Sequence, residues 1–144
     1  MTPAFRFMTI ETSSPAETEA VAAELAARLE PGDVVLVSGE LGSGKTTFVR
    51  GACRALGVRS VVTSPTYTVG QVYAGSGGRE IAHLDLYRID SLAGEDPALL
   101  DYYLTPERIG FVEWPAAGEA SIERVTARVR IDHAGGDRRV LHLT

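Results

Sequence analysis

The chain has 144 residues, 44% of them hydrophobic and 23% charged, with 14 basic residues against 19 acidic ones. These proportions exclude a mainly disordered chain, and a net charge of −5 gives no sign of a surface built to capture bulk nucleic acid. No apolar run approaches the ~18–20 residues of a membrane span, and Met1–Glu17 lacks the basic and apolar regions of a secretory signal, so the expectation is a cytoplasmic protein with no membrane partner.

The length fits a single domain over 1–144, undivided by repeats or linkers. Phe5–Ile10 reads as a short strand. Ser14, Pro15 and Glu17 make a helix-start signal, with an N-cap hydroxyl, a proline at the first helical position and a carboxylate closing a capping box. Leu25 and Leu29, with Val21 and Ala22, give that helix an apolar stripe, and Pro31-Gly32 ends it. Asp33–Ser38, with VVLV at its centre, has the pattern of a strand covered on both faces. A glycine-rich turn follows, then a helix from about Lys45 to Leu56 stopped by Gly57, with Phe48, Val49, Ala52, Cys53 and Leu56 on one face. Cys53, the only cysteine, reads as a small core residue and has no partner for an internal disulfide.

Val61–Ala74 carries β-formers interrupted at Ser64-Pro65, and Ala74–Gly78 is a hairpin tip. Arg79–Arg88 reads as a strand with Ile89 at or just beyond its end. Leu92–Leu104 reads as a short or broken helix, and Ile109–Trp114 as a second buried strand cut off by Pro115. Ile122–Ile131 alternates, with Val125, Ala127, Val129 and Ile131 on one face and Arg124, Thr126, Arg128 and Arg130 on the other. A turn at Ala134–Gly136 leads to a last strand ending near Leu143. Two helices are few for a sheet with parallel strands. Either one face is partly open, as a partner surface, or the 92–104 segment and the loops cover it.

Chemistry concentrates at Gly39-Glu40-Leu41-Gly42-Ser43-Gly44-Lys45-Thr46, which matches the phosphate-loop pattern GxxxxGK[ST]. Glycines let backbone N–H groups curl round phosphates, the lysine meets the β/γ-oxygens, and the hydroxyl meets a magnesium ion. The helix that starts there adds its N-terminal dipole. Lys45 is also the only lysine among the fourteen basic residues. A chain that otherwise uses arginine keeps its one compact ammonium where a planar fork would not serve. The fold class that follows is α/β, a P-loop NTPase-like mixed sheet with few helices and a C-terminal β-hairpin.

Such a site also needs an acidic residue at the end of a buried strand. Glu113 ends IGFVE and Asp85 ends IAHLD, and the pattern alone leaves both open. Ser64-Pro65-Thr66-Tyr67-Thr68 is either a proline-marked turn or a segment that senses the γ-phosphate, as switch segments do. Trp114, the only tryptophan, reads as a core or rim aromatic or as a stacking group beside the site. The arginine face of 122–130, with Arg138 and Arg139, is either a solvated strand face or a contact for nucleic acid or an acidic partner.

SGELGSGKTTFVRG, SPTYTV, HLDLYRI and FVEWP, in that order and at these separations, strongly resemble the TsaE (YjeE) family of bacterial P-loop ATPases, from about Phe5 to Gly118. The resemblance implies an ATPase required for threonylcarbamoyladenosine in tRNA, acting with the TsaD and TsaB proteins, with ATP and magnesium as cofactors and indirect or transient tRNA contact. By position it assigns the ATP phosphates to Gly39–Thr47, with Lys45 on the β/γ-oxygens, and magnesium to Thr46 and Glu113. Ser64–Thr68, including Thr66, becomes a first switch-like segment and Asp85–Arg88 a second, with Asp85 orienting the attacking water or the metal shell. Trp114 falls at the edge of the site, and the base goes to the loop Glu11–Thr18.

A GTPase is the nearest rival, but with Lys45 committed no lysine remains for an Asn-Lys-x-Asp guanine motif. A small-molecule kinase wants a lid, for which the short 74–79 tip is poor. A nucleotide-gated binding module with negligible turnover also fits, because no Gln or Arg is evidently placed to complete the active site and hydrolysis by the chain alone is expected to be slow.

Overall fold

The computed structural model describes residues 7–40, 42–64, 69–87, 98–115, 122 and 124–144. Helix α1 (Pro15–Ala26) starts where the cap signal places it, with Ser14 Oγ accepting from the Glu17 N–H at 3.1 Å. The Glu17 carboxylate closes the box one residue early, on the Ser13 N–H at 2.7 Å. The helix stops at Ala26, short of Pro31-Gly32. Asp33 binds the Glu30 N–H through its carboxylate at 2.8 Å and the Glu30 carbonyl through its own N–H, which reverses the chain. Leu29 is buried all the same.

The strands are β1 (Met8–Thr12), β2 (Val34–Gly39), β3 (Gly70–Ala74), β4 (Glu80–Asp85), β5 (Arg108–Glu113), β6 (Ala127–His133) and β7 (Arg139–Leu143). They form one mixed sheet in the order β1-β7-β6-β2-β5-β4-β3. The pairs β2–β5, β2–β6 and β4–β5 are parallel, and β3–β4, β6–β7 and β1–β7 antiparallel. The mixed sheet and C-terminal hairpin are therefore as expected.

Several boundaries differ from the sequence reading. β1 begins at Met8, and Phe5 and Arg6 lie outside the described residues. The 61–64 stretch is not strand, and β3 starts only at Gly70, where a Cβ would lie 2.4 Å from the Leu84 side chain. β6 begins at Ala127 rather than Ile122, because Ile122 and Val125 pack on the far face of the sheet. Of the helix expected over 92–104, α3 (Leu99–Tyr103) is seen, and 92–97 lie outside the described residues.

Helix α2 (Lys45–Ala55) and α1 cover one face. There Phe48, Val49, Ala52, Cys53 and Leu56 meet Val35, Val37, Phe111, Val129 and Ile131. Burial pushes the Cys53 thiol up to about 12, the protonation of an inert core residue. On the other face Val34, Leu36, Leu84 and Val112 lie under Leu100, Tyr103, Leu104, Ile122 and Val125. Of the two readings of that face, the described residues show the covered one, with a cleft of about 490 Å³ left beside Gly32, Leu104 and Arg124.

Gly51 sets how closely the two covering helices approach, since a Cβ there would lie 2.5 Å from the Glu19 Cα and 2.6 Å from its carbonyl. Gly51→Ala therefore forces α1 away from α2, and the gain in helix propensity does not offset it. We expect a loss of about 1–3 kcal/mol in urea unfolding. A variant as stable as the parent would contradict that contact.

Candidate functional site

The loop Gly39–Gly44 leaves β2 at the carboxyl ends of the parallel strands. There the neighbours of β2 are β5 on one side and β6 on the other, the position where open α/β sheets bind ligands. Its conformation needs glycine: φ is +144° at Gly39, +77° at Gly42 and +105° at Gly44. A Cβ on Gly39 would sit 2.4 Å from the Ile131 carbonyl, whereas one on Gly42 would meet nothing within 4 Å, so the loop is tight beneath and open above. Ser43 Oγ is buried with no hydrogen-bond partner among the described residues. Leu41 lies outside them.

Lys45, the first residue of α2, is 5% exposed. Its Nζ donates to the Gly39 carbonyl at 2.9 Å and the Glu40 carbonyl at 2.8 Å, and lies 4.0 Å from the centre of the Trp114 ring. Burial lowers its pKa, opposed by the charges of Glu113 and Asp85. The hydrogen-bond acceptors are neutral carbonyls, so the ammonium keeps its charge available for an anion. Thr47 follows on α2, half-buried.

Glu113 closes β5 beside Val37 of β2 and is 2% exposed. Thr46 Oγ1 lies 3.1 and 3.2 Å from its two carboxylate oxygens and 2.6 Å from Ser64 Oγ. With one proton each, Ser64 donates to Thr46 and Thr46 to Glu113. His83 Nε2 sits 2.6 Å from Glu113 Oε2, and its Nδ1 is 3.3 Å from the Tyr73 hydroxyl. A proton on Nε2 satisfies both contacts. Asp85 is the register neighbour of Glu113 across β4–β5. Burial raises its pKa, the Tyr87 N–H on Oδ1 at 3.0 Å lowers it, and the charge of Glu113 raises it again.

The structure thus brings Lys45, Thr46, Ser64, Asp85, Glu113 and Trp114 to one strand-end cluster, and Thr66 lies outside the described residues. Trp114 holds a left-handed backbone, φ +54°, and its ring packs against Tyr87 in a tilted pair, centroids 4.8 Å apart and planes at 52°. A non-glycine residue so placed stores about 1–3 kcal/mol of strain. The segment 11–18, expected as a loop, is the end of β1, a two-residue link and the first turn of α1. The hydroxyls of Thr12 on β1 and Thr18 on α1 are buried and bonded to each other at 2.7 Å.

Sequence reasoning gave no role to Tyr73 or to His83, although His83 opens the HLDLYRI motif, and included Tyr87 only within the Asp85–Arg88 segment. Strand alternation held a signal for His83, since it shares a sheet face with Asp85. It also grouped the arginines too simply. Arg124 pairs with the buried Asp33 at 2.7 Å, Arg130 approaches Asp132 at 3.4 Å, and Arg139 turns onto the phosphate loop.

Among the described residues no three His, Cys, Asp or Glu side chains are placed to hold a metal ion by themselves. Magnesium needs none, because it is commonly held by one or two protein groups together with substrate phosphates. The facing Thr46 hydroxyl and Glu113 carboxylate, the open space over Gly42 and the orphaned Ser43 hydroxyl fit a phosphate-bound divalent cation. The N-terminus of α2 adds its dipole.

Residues 12–141 match the model of the family described as TsaE, threonylcarbamoyl adenosine biosynthesis protein. The chain is 37% identical over 133 residues to the tRNA threonylcarbamoyladenosine biosynthesis protein TsaE of Bacillus subtilis, covering 92% of this chain and 82% of that one. It is 44% identical over 127 residues to the protein of the same description from Streptomyces coelicolor, covering 83% of each. Among solved structures, that of Bacillus subtilis YdiB superimposes with a TM-score of 0.77 at 32% identity, covering 96% of this chain and 84% of that chain.

Proposed function

The chain belongs to the TsaE family of tRNA threonylcarbamoyladenosine biosynthesis, and from that premise we propose that it binds and slowly hydrolyses Mg-ATP in support of this modification, together with the TsaD and TsaB proteins. The observation that carries the reading is the convergence of Lys45, Thr46 and Glu113 on the mouth of one glycine loop.

In this reading Gly39–Thr47 cradles the phosphates, and the Lys45 ammonium leaves its two carbonyls for the β/γ-oxygens. Thr46 and Glu113 hold the magnesium, which when bound neutralises charge on the transferring phosphoryl group. His83 fixes the Glu113 carboxylate from below, and Ser64 fixes Thr46. Asp85, with raised proton affinity, orients and deprotonates water. Trp114 and Tyr87 shield the ammonium at the rim. No helix among the described residues is long and apolar enough to cross a membrane.

The test is a titration with ATP, ADP and GTP in magnesium, with phosphate release followed with and without the partner proteins. ATP and ADP are expected to bind, GTP at least about tenfold more weakly, and hydrolysis to be slow alone and faster with partners. Equal affinity for GTP sinks the adenine preference. Absent turnover even with partners leaves a nucleotide gate in place of an ATPase.

A further inference from the structure

The C-terminal hairpin reaches the phosphate loop from the side opposite Glu113. Arg139, the first residue of β7, donates Nε–H to the Ser43 carbonyl at 2.7 Å. Its Nη1 donates to the Gly136 and Arg138 carbonyls at 2.7 and 2.8 Å, so the β6–β7 turn holds the guanidinium in place. The Gly42 carbonyl receives His133 Nε2–H at 3.2 Å and Arg139 Nη2 at 3.4 Å.

A peptide unit points its C=O and N–H in opposite directions, so a loop that turns N–H groups toward an anion must turn the matching carbonyls away. The Ser43 carbonyl belongs to the same peptide unit as the Gly44 N–H, at the mouth of α2. A short charge-assisted bond on that carbonyl fixes the direction of the N–H. A Cβ on Gly44 would lie 3.8 Å from Arg139 Nε, an ordinary contact distance, so the guanidinium borders the loop mouth without crowding it.

We propose that Arg139, assisted by His133, is a positioning residue that holds the phosphate loop in its anion-binding conformation by fixing the outward carbonyls of Ser43 and Gly42. The inference rests on the nucleotide-binding reading above and deepens it. Arg139 acts through the loop backbone rather than by contact with the nucleotide.

Affinities for ADP and AMP are measured without magnesium, by calorimetry or competition, in the parent, Arg139→Gln, Arg138→Gln and His133→Ala. Arg139→Gln is expected to weaken ADP about tenfold, the scale of a lost charged hydrogen bond, while AMP, which lacks the β-phosphate, changes less than twofold. Arg138→Gln removes the same charge from an exposed neighbour and leaves ADP binding unchanged. His133→Ala, at an exposed side chain, weakens ADP about threefold and preserves the test if Arg139→Gln does not fold. Equal losses for ADP and AMP, or for Arg138 and Arg139, overturn the proposal, as does unchanged ADP binding in both Arg139→Gln and His133→Ala. A parent that binds no ADP overturns the nucleotide reading itself.

Discussion

Lys45→Ala is expected to abolish measurable ATP hydrolysis, with a fall of about 10²–10³ or more, while leaving the protein folded. The magnitude is that of removing one preorganised donor from a charge-developing site. Lys45 suits such an effect because its ammonium is already largely desolvated and its direct contacts are neutral, the Gly39 and Glu40 carbonyls and the Trp114 face, with the charges of Glu113 and Asp85 acting from nearby. Removal takes away a buried cation whose burial disfavours its charge, and leaves two carbonyls at an open loop mouth that water can reach. The two effects oppose each other in the apo protein. Its melting temperature is expected within about 4 °C of the parent, a shift of about 1 kcal/mol for a chain of this size. Phosphate release and a thermal melt on the same preparation check both halves. Near-parental turnover in a folded variant would remove the phosphate-loop assignment and with it the proposed chemistry.

The parts of the molecule that were legible in the sequence are those whose cause is local. Ser14, Pro15 and Glu17 start α1 through contacts within four residues. The phosphate loop demands glycines, a lysine and a hydroxyl in fixed order. β2 and β5 announce themselves because both faces are covered, which leaves no polar alternation to misread. What was obscure has distant causes. β6 starts late because Ile122 and Val125 belong to the far face, a choice made by Leu36 and Leu100 rather than by neighbours. The partner of His83 lies 30 residues on, in Glu113. Arg139 reads in sequence as one more solvated arginine, because Ser43 lies 96 residues away. The left-handed backbone of Trp114 has no signature at all, since residue type argues against it. The fold class survives such gaps because it depends on burial pattern. The site does not, because its geometry is built from pairings across the sheet.

Glu113 and Asp85 end adjacent strands in register, yet their surroundings differ, and the proposed function gives them different work. Glu113 is 2% exposed, faces the Thr46 hydroxyl and is fixed by His83. Asp85 is half-buried, beside Tyr87, with its carboxyl held above the usual range first by burial. A metal ligand wants a fixed, ionised carboxylate. A group that takes a proton from water wants raised basicity and access. Glu113→Gln keeps the shape and an acceptor for His83 but removes the charge. Its expected result is a loss of magnesium-dependent ATP affinity at least as large as the about 10–100-fold cost of losing an outer-shell partner, with magnesium-free affinity retained. Asp85→Asn is expected to leave magnesium-ATP affinity within about threefold and to lower turnover by about 10²–10³, within the usual range for a positioned acid–base group. Titrating magnesium at fixed ATP for each variant, with hydrolysis measured in parallel, separates the two. If Asp85→Asn loses the metal dependence and Glu113→Gln keeps it, the roles are reversed, and the buried pair of His83 and Glu113 is a structural anchor beneath a metal held by Asp85.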